Sequence, residues 1–328
     1  MLSIREKTHM APSRGLTGRS AALAALLALC PAPALAAERL VIPFEINDLD
    51  HMVVRIEING TGGTTAVIDT AATFPMLDSR TASSSGVPAP GADPRRVNVL
   101  GLNGAREYPV VRVDEIRLGN LNLASLDAAY SEDLDVPGAA ANVLPSTAFP
   151  GDILELDFSR RVISVYDGRP DRPETDVSGR INYTVQDGLI FVDVRINGKP
   201  GRAIIDTGSN ISYVNSAFAG LAQMRTNEEK SQLLLGATGG DARVRVATAR
   251  KMSLGDFYFS GADLMVSDPF LFESLGVSDE PAMVLGLDYL SLFTVQFDRR
   301  QNRMVLSLPA TKRKGMLVNL NPRGSRIQ

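Results

Sequence analysis

Residues Ala203 to Ile205 run straight into Asp206-Thr207-Gly208-Ser209, which puts a carboxylate where an apolar, strand-forming stretch ends. A carboxylate there can act as a general base, or as an acid if burial raises its pKa. Few other reactive groups are available. Cys30 is the only cysteine and lies in an apolar N-terminal run, and the two histidines are His9 and His51. Once that N-terminal run is removed, a disulfide, a cysteine nucleophile and a Cys/His zinc cluster are all excluded. His51 sits in NDLDHMVV with no G-x-S-x-G elbow to meet it, so it reads as a structural or exposed histidine rather than a triad member. No Walker loop or G-x-G-x-x-G fingerprint follows a strand. Carboxylate chemistry is what remains, with no cofactor and no metal expected.

The N-terminal run has the grammar of an export signal. Arg5, Lys7, Arg14 and Arg19 precede AALAALLALCPAPALA, and Ala34-Leu35-Ala36 supplies the small residues that a signal peptidase requires. The apolar stretch is shorter than the roughly 20 residues that span a bilayer. Leu29 is bulky for a lipoprotein box at Cys30, which leaves lipid anchoring as a minor alternative. The expectation is a signal peptide over 1–36 and a periplasmic or secreted product with no membrane span. Taking a segment of net charge +3 from a chain of −3 leaves −6, a surface that does not attract nucleic acid or anionic lipid by net charge.

The elements that must position Asp206 are legible because the sequence repeats itself. AVIDTAATFPML, from Ala66, echoes AIIDTGSNISYV, from Ala203. VLGLNGA (99–105) echoes LLGATGG (234–240), and IRLGNLNL (116–123) echoes MSLGDFYF (252–259). VLPSTAFPGDILELDFSRRVISV, from Val143, aligns without a gap with VLGLDYLSLFTVQFDRRQNRMVL, from Val284. The lag is 137 residues at Asp69/Asp206, 135 at Gly101/Gly236 and 141 at Asp157/Asp298, nearly constant along the chain. We therefore expect lobes over 37–167 and 181–328, joined by a Pro-, Asp- and Arg-rich linker over 168–180. Within each copy, short alternating segments such as LIFVDVRI (189–196) and FTVQFD (293–298) predict strands. Asn-Gly at 59–60, 103–104 and 197–198 predicts hairpins. Short helices are expected over 216–224 and after Asp288, the latter capped by its side chain.

These motifs resemble the retropepsin-like branch of the aspartic proteases. The resemblance covers nearly the whole chain after residue 36. It rests on a strand ending in Asp-Thr-Gly-Ser, a glycine-rich hairpin some 30 residues on, and Val284-Leu285-Gly286 followed by DYLSLFTVQFD. It implies an all-β acid-protease fold of two homologous β-barrel lobes, as in the two-lobed pepsin-like enzymes, with one aspartate from each. The implied dyad is Asp69 with Asp206, in a monomer with pseudo-twofold symmetry acting on an extended polypeptide. The resemblance also implies that Thr70 and Thr207 hydrogen-bond across the lobe interface. It makes Gly101, Asn103, Gly104, Gly236, Thr238 and Gly239 candidates for flaps that close over substrate; ordinary hairpin turns are the other reading of those glycines.

Two adjacent carboxylates cannot both ionise readily, so such a pair retains one proton. The ionised member takes a proton from water as the water attacks a peptide carbonyl, and the protonated member donates to the carbonyl oxygen. Gly208 is expected to present its N–H to the Asp206 carboxylate, and Ser209 a hydroxyl donor. The first copy departs from the pattern at Ala71, where Gly is expected, and at Pro145, where the apolar-apolar-Gly triplet has its glycine. Ala72 is less of a departure, because retropepsins also use alanine there. A first lobe degraded in this way implies a peptide-binding protein without turnover. Glycoside hydrolysis by two carboxylates is a third reading, unsupported by these motifs. Asp157 and Asp298 read as turn or lobe-edge residues, and Asp288 as a cap or an arginine partner.

Overall fold

A computed structural model of the chain describes residues 39–101, 104–132, 142–172, 177–235, 241–309 and 318–320. The two Asn-Gly turns that fall inside them have the geometry their residue types call for. Asn59 and Gly60 take φ of 49° and 78°, and Asn197 and Gly198 take 50° and 83°. Positive φ at both central residues matches the twist of the flanking strands and closes tight hairpins. Met52–Ile58 and Leu189–Ile196 enter these turns with alternating buried and exposed residues, so one face of each is committed to the core.

The protein is nearly all β, with helix confined among the described residues to four short helices and one 3-10 turn. No helix of the described residues is long and apolar enough to cross a membrane. An eight-stranded sheet is built from first-copy strands between Glu45 and Pro145. A fourteen-stranded sheet carries the second copy and also takes in Leu40–Pro43, Ile153–Asp157 and Val162–Tyr166 from the first. The copies are joined where Ile153–Asp157 pairs antiparallel with Thr294–Asp298, in the register Ile153↔Asp298, Glu155↔Gln296 and Asp157↔Thr294. Each strand there is the other's counterpart under the repeat, so the ladder reads the same from either side. Glu155 and Gln296 form its central pair, and both are buried. One continuous apolar core runs from Ile42 through both copies to Leu308.

The strand Ser178–Gln186 begins inside the span expected as linker, pairing Ser178 with Ser307. Helix Ser216–Leu221 lies within the predicted 216–224, with Asn215 as its N-cap accepting from Phe218 N–H at 2.9 Å. Its counterpart Ser79–Ser84, capped by Asp78, was not anticipated. The last helix differs from expectation. It spans Leu287–Leu290 with Gly286 at the N-cap, so Asp288 lies inside the first turn and does not cap it.

Candidate active site

The two aspartates are delivered by equivalent strand ends. Thr61–Asp69 pairs in parallel with Val143–Pro145, and Lys199–Ile205 in parallel with Ala282–Leu285. Asp206 N–H continues that ladder by donating to the Leu285 carbonyl at 3.1 Å. Ile68, Ile204 and Ile205 are buried, which fixes the depth at which each acidic loop emerges.

Threonines tie the loops together. Thr70 N–H donates to Thr207 Oγ1 at 3.1 Å, and Thr207 N–H donates to Thr70 Oγ1 at 3.0 Å. Each hydroxyl then donates across the interface, Thr70 Oγ1 to the Ile205 carbonyl and Thr207 Oγ1 to the Ile68 carbonyl, both at 2.7 Å. Both threonines are buried, so four charge-neutral bonds form a closed ring shielded from water. Thr207→Val keeps the shape but orphans the Thr70 N–H and the Ile68 carbonyl. It is expected to cost about 2–4 kcal/mol, read as a lower midpoint in urea unfolding.

The ring holds the Asp69 and Asp206 carboxyls within hydrogen-bonding reach of each other. Both keep part of their surface open to solvent. Asp69 Oδ1 accepts from Ala71 N–H at 2.7 Å, while Asp206 Oδ1 accepts from Gly208 N–H at 2.8 Å and Ser209 N–H at 2.9 Å. Burial pushes both carboxyls above the usual range. For Asp206 the negative charge of Asp69 adds to burial and drives it well up. For Asp69 burial raises it, and the Ala71 N–H and the bond from Asp206 oppose that rise. Both carboxyls are thus pushed up together, and the pair titrates as a unit. Tyr213, buried beside the pair, is also driven well up by burial and by both carboxylates, and stays a neutral phenol.

Gly208 is where backbone meets carboxylate. A Cβ on it would lie 2.5 Å from Asp69 Cγ and Oδ2. Its first-copy counterpart Ala71 carries a methyl, which packs against an apolar cluster containing Leu189, Phe191 and Tyr213, and its N–H still reaches Asp69. The second departure, Pro145, is matched by another proline. In the second copy Gly286 N–H donates to Ser212 Oγ at 2.8 Å, and Ser212 Oγ–H and N–H donate to Asp288 at 2.6 and 3.0 Å. In the first copy Pro145 has no N–H to donate, and Pro75, at the position of Ser212, has no hydroxyl to receive one. The missing donor and the missing acceptor leave together, so no buried group is stranded.

Several residues do something other than expected. Ser209 reaches Asp206 through its amide, whereas its hydroxyl donates to the Ile211 carbonyl at 2.8 Å. Asp288 neither caps the helix nor pairs with an arginine; it anchors Ser212, and burial pushes its carboxyl up against those bonds. Asp157 and Asp298 close turns, accepting from Ser159 and Arg160 amides and from the Gln301 amide. Gly101 and Gly104 pair at the tip of a hairpin formed by Arg96–Gly101 and Gly104–Leu118. The opposite hairpin pairs Leu235 with Asp241. Asn103, Gly236, Thr238 and Gly239 lie outside the described residues.

Sequence reasoning passed over the 47–51 turn. Asn47 Oδ1 accepts from Leu49 and His51 amides, and Asn210 Nδ2 donates to the Leu49 carbonyl at 2.9 Å, seating the turn on the Asp206 loop. Burial lowers the His51 pKa against the Gly208 backbone and the Asp69 charge, and its Nδ1 is buried without a partner. Only the position of the turn before the first repeat strand hinted at this. Tyr213 was equally unmarked.

Two buried carboxyls that perturb each other, one from each copy of a duplicated β scaffold, form a candidate site for acid–base chemistry. Residues 54–144 and 192–289, more than half of the chain and one segment in each copy, match the aspartyl protease family, and the chain belongs to that family. Among solved structures it is similar to the aspartic proteinase from Irpex lacteus, at 10% identity, covering 84% of this chain and 99% of that one with a TM-score of 0.48. No curated protein matches it.

Proposed function

We propose that the protein is an aspartic endopeptidase whose catalytic pair is Asp69 and Asp206, complete in one chain. The threonine ring carries the reading, because it fixes the two loops against each other at the carboxyls. In the proposed step, ionised Asp69 accepts a proton from water as that water adds to the peptide carbonyl carbon. Protonated Asp206 donates to the carbonyl oxygen, giving a neutral tetrahedral diol. Asp69 then passes its proton to the amide nitrogen while Asp206 takes the proton of one diol hydroxyl; the C–N bond breaks, the amine and the acid leave, and the proton is back on Asp206. The two hairpins are proposed to close over an extended substrate. The lobes are proposed to span 37–167 and 181–328, in a pseudo-twofold monomer.

Incubation with an unfolded polypeptide is expected to give internal cleavage that pepstatin blocks; saturable peptide binding with no cleavage at any pH overturns the reading. The activity profile should be bell-shaped. Activity is lost as pH falls, when Asp69 takes up a proton, and lost again as pH rises, when Asp206 gives up its own. Because Asp206 is raised well above the usual carboxyl range, the alkaline limb should lie well above that range too. Export to the periplasm or medium, with cleavage after Ala36, is part of the proposal and follows from the 1–36 sequence. N-terminal sequencing that finds residues 10–30 on the mature protein rejects it. Activity that falls on dilution together with a sedimenting dimer rejects the monomer.

A further inference from the structure

A cleft of about 430 Å3 opens where the segment after Tyr166 crosses the sheet that joins the two copies, and no residue of the aspartate site lines it. Four of its walls are guanidinium groups, those of Arg169, Arg172, Arg180 and Arg303. Register explains how two of them converge. Arg180 pairs with Val305 and Asn182 with Arg303, so Arg180, Val305 and Arg303 share one face of the sheet. Arg169 and Arg172 reach the same cleft from the connecting segment, where both are exposed.

Among the described residues the nearby carboxylates do not neutralise them. Asp171 is committed to Arg39 in an ion pair. Asp298 is buried, with Oδ1 taken by the Gln301 amide. Asp256, which borders Arg180 on its other side, makes no ion pair with it. Among the described residues none of the four guanidiniums has an ion-pair or hydrogen-bond partner. Four like charges gathered in one cleft repel one another, and that cost is unusual in a chain of net charge −3. All four cations are arginine and none is lysine. The planar guanidinium fork matches oxyanions through two parallel hydrogen bonds, which a point charge does not.

We propose that this cleft is a binding site for a compact anion bearing two or more phosphate groups, either a soluble oligophosphate or the phosphates of a lipid headgroup. A cleft of this size falls within the range of small-molecule sites and is too large for one phosphate to span. Charge favours phosphate, since two or three groups carry enough negative charge to neutralise four guanidiniums, whereas a single carboxylate does not.

Calorimetric titration of the full chain with inorganic tripolyphosphate tests the soluble form. Vesicles of phosphatidylcholine with and without cardiolipin, whose headgroup carries two phosphates, test the headgroup form in a flotation assay. Binding of tripolyphosphate, weakened at least about tenfold in Arg180→Gln/Arg303→Gln and again by raised salt, supports the site with a soluble ligand. Binding confined to the cardiolipin vesicles, and lost in the same variant, supports it with a lipid source. Arg169→Gln/Arg172→Gln lies off the sheet and gives the same readout if the first variant folds poorly. Binding in neither arm, or equal binding by both double variants, overturns the proposal. Peptide cleavage should be unchanged in both variants without ligand.

Discussion

Asp206→Asn and Asp69→Asn should each lower kcat by about 10³-fold or more, and the double variant should be little worse than either single one. In the proposed mechanism the two carboxyls act as a unit holding one proton, so removing either removes the base or the acid of the same step. A partial loss would be expected only if one of them merely tuned the other. Stability should move the opposite way. Both carboxyls are raised by burial, so the folded state holds its protons more tightly than the unfolded chain does. Their contribution is fully present below the ordinary carboxyl range and is lost as pH rises through the raised values. Asp206→Asn removes that loss, and its thermal midpoint at pH 7 should exceed that of the parent, with the gap closing in acid. Kinetics and calorimetry on the same preparations separate the two effects. Should Asp69→Asn cleave peptides at the parent rate while Asp206→Asn is dead, the first copy takes no part in the chemistry.

Gly208→Ala should also abolish most activity, by about 10²-fold or more, without changing a single ionisable group. The added methyl would stand 2.5 Å from Asp69 Cγ and 2.9 Å from Oδ1. Asp69 cannot swing away freely, because Oδ1 is held by the Ala71 N–H. The clash must displace the carboxyl from its partner, the distance on which a shared proton depends. Overpacking of this kind costs about 1–3 kcal/mol, so the protein should still fold. Gly91→Ala, where nothing lies within 4 Å of the new Cβ, is the control and should be silent. Ala71→Gly should not harm turnover, since the Ala71 amide already reaches Asp69. Full activity in Gly208→Ala would mean that the two carboxyls need not sit as close as the structure places them.

Much of this protein was written locally and could be read locally. An Asn-Gly pair closes a hairpin because both residues tolerate positive φ, and that preference belongs to the residues themselves. The repeat needed only an alignment of the chain with itself. Asp206 at the end of AII, and the near absence of cysteine and histidine, left carboxylates as the chemistry before any fold was known.

Other features depend on which distant residues meet, and no local preference encodes that. Asp288 looked like a helix cap because a polar residue preceded an apolar run. It anchors Ser212, 76 residues away, because the Gly286 turn brings them together. Pro145 looked like damage until Pro75 was found opposite it, since an amide donor is missed only where an acceptor waits. His51 looked idle because its neighbours in sequence are unremarkable, yet its turn is seated on the Asp206 loop, more than 150 residues on. The raised titration of the two aspartates is also a tertiary fact. Asp69 and Asp206 occupy the same motif, and both are pushed up because burial and the neighbouring carboxyl act on each in place. Sequence sets which conformations and which chemistry are available; long-range packing sets the distances, and electrostatic energies depend on distance and burial.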